Sequence, residues 1–229
     1  MRSAAILSAH ESLPLPDPPG APGDETSCPE RLKLACARAQ RIAELGERLA
    51  RFLAGNRSRH VVLELCCGHG HFLAGFAAHH PESVCIGVDY CRDRIARAQR
   101  KQSSAGLGNL QFLRAEVFEF LSAWPAGRRV SSVFLLFPDP WPKRRHRKYR
   151  VLSERLLTRL AEICEPRAAL SFRTDSEDYI GEALRLAGAH PEWLHASDAA
   201  WPYEQASVFQ EKADRYFSLI AIRPPSAKE

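Results

Sequence analysis

Five short apolar runs recur along this chain: VVLEL at 61–65, VCIGVD at 84–89, LQFLR at 110–114, SVFLLF at 132–137 and AALSFR at 168–173. Amphipathic stretches lie between and after them, around 71–79, 92–104, 116–123, 151–164 and 176–188. Strands that are apolar on both faces and separated by helices read as a doubly wound α/β fold on a parallel sheet. The ending breaks the rhythm. EWLHAS and RYFSLIAIR have only a loop between them, which predicts an antiparallel hairpin closing one sheet edge. Upstream, Leu32, Ala35, Ala39, Ile42, Leu45, Leu49 and Leu53 recur at helical spacing, so Pro29 to Ala54 predicts one amphipathic helix or two. Residues 1–28 contain LPLPDPPGAPGDE and have almost nothing to bury; they predict a mobile arm ahead of a single domain at 29–229.

With 229 residues, 45% of them hydrophobic, one sizeable core is expected. No run approaches the roughly 18 apolar residues of a membrane helix, and MRSAAILSAH is too short for a secretory signal, so a cytoplasmic protein without membrane contact is expected. The seven cysteines are odd in number and fall mostly inside apolar segments, which predicts reduced, buried thiols. Cys66, Cys67, His69 and His71 crowd together, but no pair has zinc-ligand spacing backed by a second pair, and no metal is expected. The net charge of +5 admits a polyanionic partner without demanding one.

The segment LELCCGHGHFL lies where the first strand hands over to its helix, the place at which open sheets of this kind bind ligands. Gly68 and Gly70 allow a tight turn and a close backbone approach. Dinucleotide folds usually carry G-x-G-x-x-G with a pyrophosphate at the helix start. Here Glu64 precedes the turn instead, which suits a ligand bearing an ammonium and a sulfonium. Asp89 ends the next strand, where a carboxylate can accept ribose hydroxyls; its alternative is an ordinary strand-end acid. Glu116 follows the third strand and either borders an adenine or serves as a first-turn acid favoured by the helix dipole. Three carboxylates at successive strand ends read together as a site for S-adenosylmethionine.

After the fourth strand comes FPDPWPKRRHRKYR, residues 137–150. Pro138 and Pro140 hold Asp139 in a rigid, non-helical turn at the crevice, a candidate catalytic acid beside a methyl donor. Trp141 either stacks a base or packs as a lid on the core. Lys143, Arg144, Arg145, Arg147, Lys148 and Arg150, with His146 among them, follow at once. Such a run is a solvated face or a phosphate-binding surface, and its place beside the candidate acid favours phosphate. It is expected to begin the helix that continues through YRVLSERLLTRLAEI.

This segment resembles the signature P-D-P-W-x-K-x-x-H-x-K of the bacterial tRNA (guanine-N7-)-methyltransferase family. LELCCGHGHFL resembles that family's E-x-G-x-G-x-G turn, FRTDSEDY its T-D-x-x-x-Y segment and SVFQEKA its T-K-[FY]-E-x-[KR]-G segment, in the same order over about residues 60–222. The resemblance implies a Rossmann-like class I methyltransferase with a mostly parallel seven-stranded sheet, acting on N7 of guanine 46 in the tRNA variable loop. It also implies that Glu64, Gly68, Gly70, Asp89, Glu116 and Asp139 line the S-adenosylmethionine site, with Asp139 the active-site acid. Lys143 and Asp175 would contact substrate, Arg145, His146, Arg147, Lys148 and Arg150 would meet RNA, and Ser207, Phe209 and Gln210 would complete the guanine pocket. The partner implied is tRNA, and the assembly a monomer or homodimer. Asp175 has a second reading as a cap of the following helix. The chain departs from the pattern where Cys66 replaces the first turn glycine, Asp89 stands for the usual glutamate, Val208 and Gln210 replace lysine and glutamate, and the arm does not resemble the basic, aromatic arm common in that family. Two rival readings stay open: a methyltransferase with another RNA or a small molecule as acceptor, and a noncatalytic RNA-binding paralogue.

Overall fold

A computed structural model describes residues 28–56, 60–205, 210 and 213–225, so the expected arm lies outside the described residues except for Cys28. The chain divides into two units, residues 1–37 and 38–229. The described residues of the first, 28–37, are helical. The helix concerned is α1 (Cys28–Gly55), one element rather than two.

The second unit is built around seven strands: β1 (Val61–Leu65), β2 (Val84–Asp89), β3 (Leu110–Arg114), β4 (Val130–Leu136), β5 (Cys164–Thr174), β6 (Leu194–His195) and β7 (Phe217–Ile222). Their spatial order is β3-β2-β1-β4-β5-β7-β6. The first five pair in parallel, while β7 runs antiparallel to both β5 and β6. The doubly wound sheet and its antiparallel ending are therefore both as expected. Helices α2 (His71–His79), α3 (Arg92–Ser104), α4 (Val117–Ser122), α5 (Glu154–Ile163) and α6 (Glu177–Ala189) cover the faces. Leu49, Leu156, Leu160, Tyr179 and Trp193 belong to one buried cluster, and Phe72, Leu73, Phe76, Ala98 and Phe112 to another. On β1, Val61, Leu63 and Leu65 enter the first cluster and Val62 the second. Glu64 shares Val62's face by strand alternation, so its carboxyl points to the side covered by α2 and α3.

One expectation is corrected. The basic run does not begin α5: it forms a separate 3-10 helix, Arg144–Tyr149, and α5 starts only at Glu154. Arg150 turns to ψ 131° and Ser153 takes an extended backbone, its hydroxyl accepting from the Leu156 N–H at 3.3 Å. That cap supplies a helix start inside a stretch without glycine or proline.

The sheet order reverses between β1 and β4, and the crevice outside their carboxyl ends is the ligand position of such folds. Glu64, Cys66, Gly68 and Asp139 all lie at that end.

Candidate active site

The turn after β1 is fixed by its backbone. Cys66, Gly68 and Gly70 all have left-handed φ, at 58°, 53° and 66°. A Cβ on Gly70 would lie 2.4 Å from the Phe112 ring, so only glycine fits there. Cys66 adopts the glycine-like conformation with a side chain attached, a strain of about 1 to 2 kcal/mol. The Gly68 N–H donates to Asp89 Oδ2 at 2.9 Å, and the Cys91 N–H to Asp89 Oδ1 at 2.8 Å. Asp89 is buried and joins the turn after β1 to the start of α3. It is more than an ordinary strand-end acid, because each oxygen holds a backbone donor.

Glu64 is 3% exposed, and its Oε2 has no hydrogen-bond partner among the described residues. Burial pushes its carboxyl well above the usual range, while the Leu73 N–H pulls it back, Asp89 raises it and Lys101 lowers it. A buried carboxylate with an orphan oxygen is an expensive arrangement that a bound cationic group would relieve. Burial likewise pushes the Cys66 and Cys67 thiols up, so they rest as neutral thiols at the crevice floor. Glu116 is the N-cap of α4, its Oε2 accepting from the Glu119 N–H at 2.9 Å, and the first-turn acid of that helix is Glu119. Among the described residues no group of three or more His, Cys, Asp or Glu gathers as a metal site.

Beyond β4, Phe137 and Trp141 have φ of 49° and 43° and bracket Pro138, Asp139 and Pro140. Two left-handed non-glycine residues within five mark a turn that its surroundings hold in place. The Phe137 N–H donates to the Arg173 carbonyl at 2.8 Å. From the other side, Arg150 Nε donates to the Pro140 carbonyl at 2.8 Å. Pro138 is buried, and Asp139 is exposed at the apex.

The cationic run splits into two kinds of residue. Lys143, Arg144, Arg145, Arg147 and Lys148 are exposed. Trp141 packs with His146 and Tyr149, ring centroids 5.7 and 5.3 Å away, and Lys148 lies over Tyr149. Half-buried, Trp141 belongs to this small aromatic group, outside both core clusters. Arg150, expected to meet RNA, has a side chain only 1% exposed. It donates to Asp178 and Glu182 and lies 4.6 Å over the Tyr179 ring. A guanidinium so enclosed has no face left for a phosphate; it anchors the Asp139 turn instead.

A family model described as "Putative methyltransferase" matches residues 58–216. Among curated relatives, a tRNA (guanine-N(7)-)-methyltransferase of Jannaschia sp. strain CCS1 is 30% identical over 168 residues, 69% of this chain and 70% of that protein. The chain belongs to the tRNA (guanine-N(7)-)-methyltransferase family. The Halalkalibacterium halodurans relative is 32% identical over 139 residues, 61% of this chain and 63% of its own length. For Caulobacter vibrioides the identity is again 32%, with 61% and 62% covered, so the chain spans under two thirds of these two relatives. Two solved structures share the fold. The antibiotic-resistance methyltransferase Kmr has TM-score 0.53 and 22% identity over 80% of this chain and 94% of that one. A 16S rRNA (adenine(1408)-N(1))-methyltransferase of Catenulisporales acidiphilia, solved with cosubstrate SAM, has TM-score 0.53 and 16% identity over 80% and 92%.

Of the remaining residues matched to this methyltransferase family, Asp175 is exposed after β5. The cap of α6 is Ser176, which accepts from the Tyr179 N–H, so Asp175 does not perform the alternative role. Ser207 and Phe209 lie outside the described residues. Gln210 is half-buried, accepts from Arg173 Nη1 and donates to the Tyr216 hydroxyl, both at 3.4 Å. Sequence reasoning missed Arg173 itself. The signal for Arg173 was a charge at the end of an otherwise apolar strand, in the quoted FRTD.

Proposed function

We propose that this protein transfers the methyl group of S-adenosylmethionine to N7 of a guanine in tRNA, position 46 of the variable loop, forming 7-methylguanosine. The observation that carries the reading is Asp139: an exposed carboxylate on a strained, doubly anchored turn, with a carboxylate-lined crevice on one side and an exposed cationic segment on the other.

The residues present fit the methyl donor. Glu64, with its orphan oxygen, suits the donor's ammonium; Gly68 and Gly70 allow close approach of the chain; Asp89 and Glu116 are available to its ribose and adenine through lone pairs left after their backbone bonds. When bound, S-adenosylmethionine supplies a methyl group activated on a sulfonium. Guanine N7 already carries its lone pair, so the protein has no proton to remove; its task is alignment. Asp139 stabilises the positive charge that grows on the base, acting as a fixed charge that needs no reorganisation. Lys143, Arg145, Arg147 and Lys148 bind the RNA backbone and bring the base to that carboxylate. His146 and Trp141 offer aromatic surface within the same segment.

Labelled S-adenosylmethionine, tRNA lacking 7-methylguanosine and nucleoside mapping test the reading. Label recovered as 7-methylguanosine at position 46 is expected. Label on another base or another RNA would replace the acceptor, and donor binding without transfer would leave a noncatalytic protein.

A further inference from the structure

We propose that Arg173 is a positioning residue for the acceptor base, holding the chain on both sides of Gln210 in register with the Asp139 turn. The proposal rests on guanine methylation as the function of the site.

Arg173 lies near the carboxyl end of β5, opposite Leu136 on one side and Ser218 on the other. Its side chain is 5% exposed, a costly location for a guanidinium. Sheet pairing uses only its backbone, so an apolar side chain would serve β5 at lower cost. The contacts its guanidinium makes lie between residues 201 and 218. It grips Glu204 with both terminal nitrogens, donates to Ser218 Oγ at 3.0 Å and reaches Gln210 Oε1 at 3.4 Å. Its central carbon lies 3.7 Å over the Trp201 ring and 4.9 Å over the Tyr216 ring. Trp201 and Glu204 precede Gln210 and Tyr216 follows it, so one planar cation fixes both flanks of that residue.

The same residue reaches the catalytic turn. Its carbonyl accepts the Phe137 N–H, and the Phe137 ring meets the Tyr216 ring edge to face at 6.0 Å. Backbone and side chain of one residue thus tie the Asp139 turn to the segment around Gln210. The earlier flank has a second anchor on α2. The Tyr203 hydroxyl is 2.9 Å from His79 Nδ1, its ring packs on Phe76, and Gln205 leans so close to Gly75 that a Cβ there would lie 2.9 Å from it. The later flank, 213–216, has besides Arg173 a solvent-exposed second tie, the Arg215–Glu177 pair at 3.2 Å. The Glu204 side chain is 60% exposed, so its ion pair with Arg173 by itself adds little stability. Its value lies in the fork geometry, which fixes direction as well as distance.

The test uses the full chain with Arg173→Met, Arg173→Lys and Glu204→Gln. Hydrogen exchange is read at 201–205 and 213–216, S-adenosylmethionine binding by calorimetry, and methyl transfer with tRNA as KM and kcat separately. Arg173→Met is expected to lose protection at 213–216, keep donor affinity, and lower kcat/KM for tRNA about a hundredfold, the scale of a displacement of about 1 Å at a reacting centre. Arg173→Lys keeps the charge without the fork and falls between. Glu204→Gln leaves the buried cation in place and covers the case in which Arg173→Met does not fold; a smaller loss in the same direction is expected. Unchanged protection, or lost protection with unchanged kcat/KM, overturns the proposal, as does a parallel loss of donor affinity. If the wild type methylates no guanine in tRNA, guanine methylation fails and the acceptor half of this proposal with it, while the exchange data still decide whether Arg173 holds the segment.

Discussion

At the ends of β1 and β2, the turn residues are held by close backbone contacts: Gly70 lies against Phe112 with no room for a Cβ, and the Gly68 and Cys91 N–H groups donate to the two oxygens of Asp89. After β4, residues 143–148 stand in solvent apart from half-buried His146, and the turn before them depends on Arg150, whose partners come from α6. The first region is specified locally, by backbone geometry. The second is specified by charge, and its shape is imposed from elsewhere in the fold. A small ligand of fixed shape needs the first kind of site, and a polyanion with many equivalent phosphates needs the second.

The sharpest way to break this contrast is within the cationic run. Arg150→Met removes a buried cation from two carboxylates and an aromatic face, and is expected to cost about 3 kcal/mol of stability in chemical denaturation. Arg145→Met, three-dimensionally its opposite, is expected to leave the denaturation midpoint unchanged. Equal effects would erase the distinction between anchor and surface. Next in size, Asp139→Asn is expected to lower the single-turnover rate about a hundredfold with little change in stability. A smaller effect follows from removing charge at Lys143, Arg145 and Lys148 together. The slope of log affinity for tRNA against log salt should fall by roughly two to three units. An unchanged slope would mean that phosphates are bound elsewhere.

The smallest effect sharpens the first region. The Glu64 carboxyl is raised in the folded protein, so above the usual carboxylate value near 4.5 the native state holds more protons than the unfolded state. Stability of the donor-free protein should therefore fall as pH rises through the window from there to the raised value, and Glu64→Gln should flatten that slope. A bound ammonium favours the ionised form, so donor affinity should rise with pH over the same window. Identical pH profiles for wild type and Glu64→Gln would remove Glu64 from this role.

Strand positions were legible because an apolar run of five or six residues between helical patterns has few other fates: β1, β2 and β3 match their expected spans residue for residue. The start of α5 was not, because Arg150 to Ser153 contains no glycine or proline and the break depends on a cap and on tertiary contacts. In the site, Glu64, Gly70 and Asp139 could be singled out from spacing alone. Arg150 could not be told from Arg147 by sequence: both pair with Asp178, and the difference lies in Tyr179 and Glu182, about thirty residues further on. Arg173 was hidden for the same reason, the described partners of its side chain all coming later in the chain. Residue type reports chemistry, but whether a cation is buried is decided by what folds over it.

The most direct measurement is single-turnover methyl transfer to tRNA lacking 7-methylguanosine, by wild type and Asp139→Asn, with donor and tRNA affinities measured on the same preparations. The expected result is a large fall in rate with both affinities preserved, placing Asp139 where the two regions meet. An undiminished rate would contradict it, and so would a loss explained wholly by weaker binding of either partner.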